Sequence, residues 1–181
     1  NIIVKAIKGD IDEYIYYRTD HHWTTEGAYC GYRKLCSEME LVPVDISAQD
    51  MKDKLKSADG FYGTYQAKYR GMLGVSSDTI SYYDIPVSNY KAGDKMHDTM
   101  YDLEKLDTYD KYAMFMYGNE GLSVVDAVPD NKSGRRGELI LFKDSYGNCM
   151  IPFFTYNYDR VTMIDLRYYP GSVKQLLKEH E

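Results

Sequence analysis

The sequence has little of what commits a chain to the simplest architectures. Cysteine occurs three times in 181 residues, as Cys30, Cys36 and Cys149. No C-x-x-C pair forms, and the odd count leaves at least one thiol free or bound between molecules. Small buried hydrophobes are the ordinary reading of all three, and they fix no redox compartment. No apolar run approaches the roughly 20 residues that span a bilayer. Lys and Arg total 22 against 28 acidic residues, a formal net charge of −6. With no long basic run there is little to neutralise phosphate, which argues against a nucleic-acid partner. Internal repeats and low-complexity tracts are absent, as are the collagen and coiled-coil patterns.

What the chain does have is tyrosine, 20 residues of it. The core must therefore draw on phenol rings, each of which buries well only where its hydroxyl finds a partner or reaches water. The length fits a single domain, residues 1–181, with a sizeable core. The chain starts at Asn1 and passes directly into Ile2-Ile3-Val4 without a signal-peptide pattern. This reads as a chain cut from a longer protein.

Residues Tyr14 to Arg18 read as a strand, after which Thr24 or Thr25 caps a helix reaching about Met39. Ala28, Tyr32, Leu35 and Met39 form its apolar stripe. A short helix follows near Ala48 to Lys56. Residues 57–106 carry weaker signals and many glycines, with one strand candidate from Thr79 to Ile85. This Tyr-rich stretch reads as an inserted loop or hairpin, because it holds too many aromatics for disorder. Strands are then expected at Ala113–Tyr117, Ser123–Val128, Glu138–Lys143 and Arg160–Arg167. The run Glu138–Lys143 is apolar enough for a strand buried on both faces. Helices follow it, through Phe154, and close the chain from Ser172 to Glu179. Strand, helix, strand and helix at this spacing argue an α/β sheet with parallel neighbours.

Two segments concentrate reactive side chains, and both sit at strand ends, where open α/β sheets bind ligands. One is Lys143-Asp144-Ser145-Tyr146-Gly147. A serine on a sharp strand-to-helix turn exposes its hydroxyl near the positive helix end, although helix capping explains such a serine equally well. The other is Arg18-Thr19-Asp20-His21-His22-Trp23-Thr24. An alcohol nucleophile needs an imidazole base, and that imidazole needs a carboxylate to fix its tautomer. Asp20 and His22 are two apart and so share a side on an extended chain, while His21 faces the other way. Adjacent histidines can also bind metal, but His97 and His180 bring no supporting ligand motif.

The stretch R-T-D-H-H-W-T-T-E-G-A-Y, Arg18 to Tyr29, resembles the signature of the DHHW protein family of bacterial cell-envelope proteins. Leu141 to Gly147, Pro152-Phe153, Ile164 to Arg167 and Phe115 to Asn119 resemble that family's second half. The family is similar in turn to the alginate O-acetyltransferase group. The resemblance implies that the chain is the C-terminal half of a longer protein, with a three-layer α/β, SGNH-hydrolase-like (flavodoxin-like) sheet, incomplete in this chain. It implies Ser145 as nucleophile, His22 as base and Asp20 as its orienter, with no cofactor and no metal. The implied activity is O-acetyl transfer or ester hydrolysis on cell-envelope or extracellular polysaccharide, with a membrane acetyl-donor partner. Gly118, Asn119 and Tyr146 become oxyanion or substrate-binding candidates. Arg167 could bind substrate or position an acetyl group, or simply stand in a surface ion pair. His21 could orient the loop or touch substrate; Tyr62, Tyr65 and Tyr69 could stack on sugar rings. One departure stands out: the glycine usual before Asp-Ser in SGNH enzymes is Lys143 here. A non-catalytic carbohydrate-binding or scaffold protein of the same fold, and a metal-dependent phosphoesterase using Asp20, His21 and His22, stay open.

Overall fold

The computed structural model describes residues 14–69, 74–129 and 137–180. The Ile2-Ile3-Val4 run lies outside them. The architecture is mixed α/β with two sheets. Helix α1 (Thr25–Glu38) starts where Gly27 N–H donates to the Thr24 hydroxyl at 3.2 Å. Its buried stripe is Ala28, Tyr32 and Cys36, with Leu35 and Met39 half-buried beside it. Gly27 and Gly31 let α1 lie tight against the preceding loop. A Cβ on Gly27 would sit 2.3 Å from the Ile15 carbonyl oxygen, and one on Gly31 would sit 3.0 Å from the Trp23 ring.

Helix α2 (Gln49–Lys54) leads into β1 (Leu55–Phe61), short helix α3 (Thr64–Lys68) and β2 (Asp78–Tyr83). Strands β1 and β2 pair antiparallel as a small separate sheet. The main sheet has the order β4-β3-β5-β7-β6. Its members are β3 (Val87–Ala92), β4 (Lys95–His97), β5 (Leu122–Ala127), β6 (Glu138–Phe142) and β7 (Arg160–Ile164). Residues 57–106 thus supply the small sheet and also two strands of the main one. Among the described residues only β6 and β7 run parallel, with Glu138 opposite Arg160 and Phe142 opposite Ile164. Helix α4 (Ser145–Phe154) is their crossover, and it packs against α1. Helix α5 (Val173–Glu179) closes the chain, capped by Ser172.

Four expectations need correction. Ala113–Tyr117 is not a strand: Lys111–Met114 is a 3-10 turn, and only Phe115 bridges Tyr101. The reason is local, because Met116, Tyr117 and Gly118 take φ of 58, 56 and 87° and curl the chain away from extension. Tyr14–Arg18 makes a single bridge, Tyr16 to Trp23, because the chain turns back within the intervening loop. Glu138–Phe142 is half-buried rather than buried, because it is a sheet edge with β7 on one side only. Arg160–Arg167 ends its strand at Ile164, because Asp165 turns the chain by accepting from Arg167 N–H at 3.1 Å.

Tyrosine fills the core, and several of its buried hydroxyls have partners, while those of Tyr17 and Tyr112 have none among the described residues. Tyr32 donates to Asn157 Oδ1 at 2.6 Å and accepts from Val44 N–H at 2.9 Å. Tyr90 donates to the Met116 carbonyl at 2.7 Å. Tyr101 donates to the Tyr83 carbonyl at 2.5 Å. Ring burial and hydrogen-bond satisfaction therefore come from the same residues.

Candidate active site

The loop between Tyr16 and Trp23 is tied down from outside by one carboxylate. Asp78 accepts from Thr19 N–H at 2.8 Å, from the Thr19 hydroxyl at 2.6 Å and from Arg18 N–H at 3.2 Å. Tyr17 N–H reaches the His22 carbonyl at 3.3 Å, and Thr24 N–H reaches the Ile15 carbonyl at 2.9 Å. Asp20 and His22 are buried inside this turn, while His21 is half-exposed.

Asp20, His22 and Ser145 form one hydrogen-bonded line. His22 Nδ1 lies 2.5 Å from Asp20 Oδ1, and His22 Nε2 lies 2.8 Å from Ser145 Oγ across 123 residues of sequence. With Asp20 ionised, Nδ1 carries the proton and Nε2 is left to accept the Ser145 hydroxyl. The carboxylate is held ionised from both sides. Oδ1 also accepts His22 N–H at 2.8 Å, and Oδ2 accepts Thr64 N–H at 2.7 Å and the Thr64 hydroxyl at 3.0 Å. Burial alone would raise its pKa. The hydrogen bonds from His22 and Thr64 overcome that and hold it well below the usual carboxylate range.

Ser145 is the first residue of α4, whose N-cap is Asp144, accepting from Tyr146 N–H at 3.0 Å. Among the described residues the Ser145 N–H has no acceptor, so it faces outward at the positive helix end. The two segments are stapled by their neighbours. Trp23 Nε1 donates to the Tyr146 carbonyl at 2.9 Å, and the Tyr146 hydroxyl donates to the His21 carbonyl. Tyr112 lies flat on the His22 ring, with centroids 3.7 Å apart and planes 5° apart. It is buried, and among the described residues its hydroxyl has no hydrogen-bond partner.

A family model described as DHHW protein matches residues 2–164. The chain belongs to the DHHW protein family. A solved DHHW family protein from Eubacterium siraeum DSM 15702 shares 27% identity with it at a TM-score of 0.71, over 97% of this chain. Two structures of Bacillus cereus PatB1, one with a sulfonyl adduct, are 17% and 18% identical with TM-scores of 0.67 and 0.69, each covering 98% of this chain. The chain spans 59%, 62% and 64% of the lengths of these three. No curated protein sequence matches it.

The remaining candidates of this DHHW protein divide clearly. His21 Nδ1 lies 2.7 Å from the Thr64 hydroxyl, and burial followed by the neighbouring His22 lowers its pKa. Tyr65 stands 6.4 Å from the His21 ring, centroid to centroid, and is 42% exposed. Tyr62 and Tyr69 are exposed, and among the described residues neither ring contacts the Asp20–His22–Ser145 line. Gly118 spends its N–H on the Phe115 carbonyl at 3.1 Å, which removes it as a backbone donor. Asn119 is exposed, and its Oδ1 accepts from Asn148 Nδ2 at 3.2 Å. Arg167 is gripped by buried Asp165 at 2.9 and 2.6 Å, the ion-pair alternative.

Asp20, His21 and His22 also bring donor atoms within 4.8 Å of one another, the spacing a metal ion needs. Each of those atoms is already engaged with Thr64, Ser145 or another member of the trio. The donor set therefore fits a hydrogen-bond relay better than a metal. Sequence reasoning missed Tyr112, Thr64, Asp78 and Asn148. Tyr112 stands one residue before the segment read as a strand, and none of the four stands in a motif.

Proposed function

We propose that this DHHW protein transfers acyl groups on carbohydrate, as an O-acetyltransferase or acetylesterase with Ser145 as nucleophile. The observation that carries this is the line from Asp20 through His22 to Ser145, with Nε2 presented 2.8 Å from Oγ. His22 takes the hydroxyl proton as Ser145 Oγ attacks the acyl carbonyl. The tetrahedral oxyanion meets the Ser145 N–H and the Asn119 NH2 group, and the positive end of α4 favours its charge. As the carbonyl re-forms, the bond to the leaving alcohol breaks and that alcohol takes the proton from His22. The acyl group now sits on Ser145. A sugar hydroxyl, losing its proton to His22, then attacks the acyl-serine; the acyl–Oγ bond breaks, Ser145 Oγ takes the proton back from His22, and the acyl group leaves on the sugar, while water in its place gives hydrolysis.

The half-exposed rings of Tyr65 and Tyr146 beside His21 offer faces for a sugar. The proposal extends to an SGNH-hydrolase-like fold related to the alginate O-acetyltransferase group, an acetyl donor supplied by a membrane partner, and a place in the cell envelope or outside the cell. Among the described residues no helix is long and apolar enough to cross a membrane. The test is release of acetate from an aryl acetate, with and without an oligosaccharide acceptor. Ser145→Ala is expected to abolish it and a chelator to leave it unchanged. Activity that survives Ser145→Ala, or that needs added divalent metal, overturns the proposal.

A further inference from the structure

Lys143, the last residue before the Asp144-Ser145 turn, does not extend into solvent. Its Nζ donates to Asn148 Oδ1 at 2.6 Å. Asn148 is 1% exposed and lies three residues beyond Ser145, on the same face of α4. An ammonium can only donate, so it fixes which end of this amide is oxygen. The Asn148 nitrogen therefore faces the opposite way and donates to the Gly118 carbonyl at 2.9 Å and to Asn119 Oδ1 at 3.2 Å. That fixes the Asn119 amide in turn, with its oxygen committed to Asn148 and its NH2 on the other branch. The loop it belongs to needs holding, because Met116, Tyr117 and Gly118 all have positive φ.

We propose that Lys143 is a positioning residue which, through Asn148, holds the Asn119 amide as a hydrogen-bond donor to the oxyanion formed at Ser145. The proposal rests on the acyl-transfer reading above. The alkyl stem of Lys143 packs on the α4 turn, where a Cβ on Gly147 would lie 2.8 Å from Lys143 Cβ. Burial lowers the Lys143 pKa to about 8, against the pull of the Asp165, Asp144 and Glu120 carboxylates and with the push of Arg167. In the pH range below about 8 the ammonium is the form that orders the relay.

Lys143→Met keeps the stem and removes the donor, and Asn148→Asp keeps an acceptor for Lys143 while removing the donor to Asn119. Each is expected to lower kcat/KM for an aryl acetate on the order of 10²-fold, the scale of losing one oxyanion donor. Asn119→Ala should do the same, and the double variant Lys143→Met/Asn119→Ala should fall no further than either alone. In 15N–1H spectra the Asn119 side-chain NH2 pair should move in Lys143→Met while the amides of β5 and β7 stay in place. The fall of kcat/KM as pH rises through about 8 should be absent from that variant. A Lys143→Met enzyme as fast as the parent, losses that multiply in the double variant, or unmoved Asn119 signals would overturn the proposal. Activity that persists in Ser145→Ala overturns the acyl-transfer reading instead, and the spectra still decide whether Lys143 orients Asn119.

Discussion

His22 is held on every side that matters for a base. Asp20 fixes its tautomer, Ser145 faces Nε2, and Tyr112 covers one face while the His21 ring sits 3.9 Å away, centroid to centroid. Such confinement keeps the ring in the one plane that serves both hydrogen bonds. The Asp20 carboxyl sits below its ordinary value of 3.8 in the folded protein, so its contribution to stability is complete above that pH. It is lost as pH falls through 3.8 toward the folded value. Thermal melts should therefore show a drop in Tm in this acid range, and Asp20→Asn should remove that part of the slope. The same variant should lower the reactivity of Ser145 on the order of 10⁴-fold, because the wrong imidazole tautomer is then favoured. Unchanged reactivity in folded Asp20→Asn would remove Asp20 from the relay. The Asp20–His22 pair and Ser145 were legible because they sit in short polar runs at strand ends. Tyr112 and Thr64 were not, because their roles come only from long-range packing, across 90 and 44 residues of sequence respectively.

At the scale of elements, the Tyr-rich stretch acts through its backbone as much as its rings. The turn between β1 and α3 comes so close to Asp20 that a Cβ on Gly63 would lie 2.2 Å from Asp20 Cβ and 2.3 Å from Oδ2. Gly63→Ala must therefore displace either this turn or the carboxylate. The expected result is a lower Tm together with a slower Ser145, measured by melting and by aryl acetate turnover. Full turnover with wild-type Tm would show that the turn has slack. Helices α1 and α4 were readable because capping and 3.6-residue periodicity are local signals. In the antiparallel half of the sheet β5 was readable from its alternation, but β3 and β4 were not, because they are short and polar and their pairing is decided by the chain between them. The apolar run in β6 suggested a central strand, yet it lies at an edge because pattern reports the affinity of a strand for cover and not its place in the order.

Across the whole molecule, stability depends on phenol hydroxyls that close hydrogen bonds inside the core. Tyr32→Phe would leave Asn157 Oδ1 and Val44 N–H without this partner, and should cost about 1–3 kcal/mol in denaturant unfolding. A loss near zero would mean that water replaces the hydroxyl. The same core carries α1 and α4, and through them it brings two segments 123 residues apart to a common point. The direct test of that convergence is chemical. Brief exposure to an aryl acetate followed by peptide mass spectrometry should find an acetyl group on Ser145, and none there in His22→Ala. Acetate release with no acetyl on Ser145, or an acetyl group fixed elsewhere while Ser145 stays free, would contradict the account.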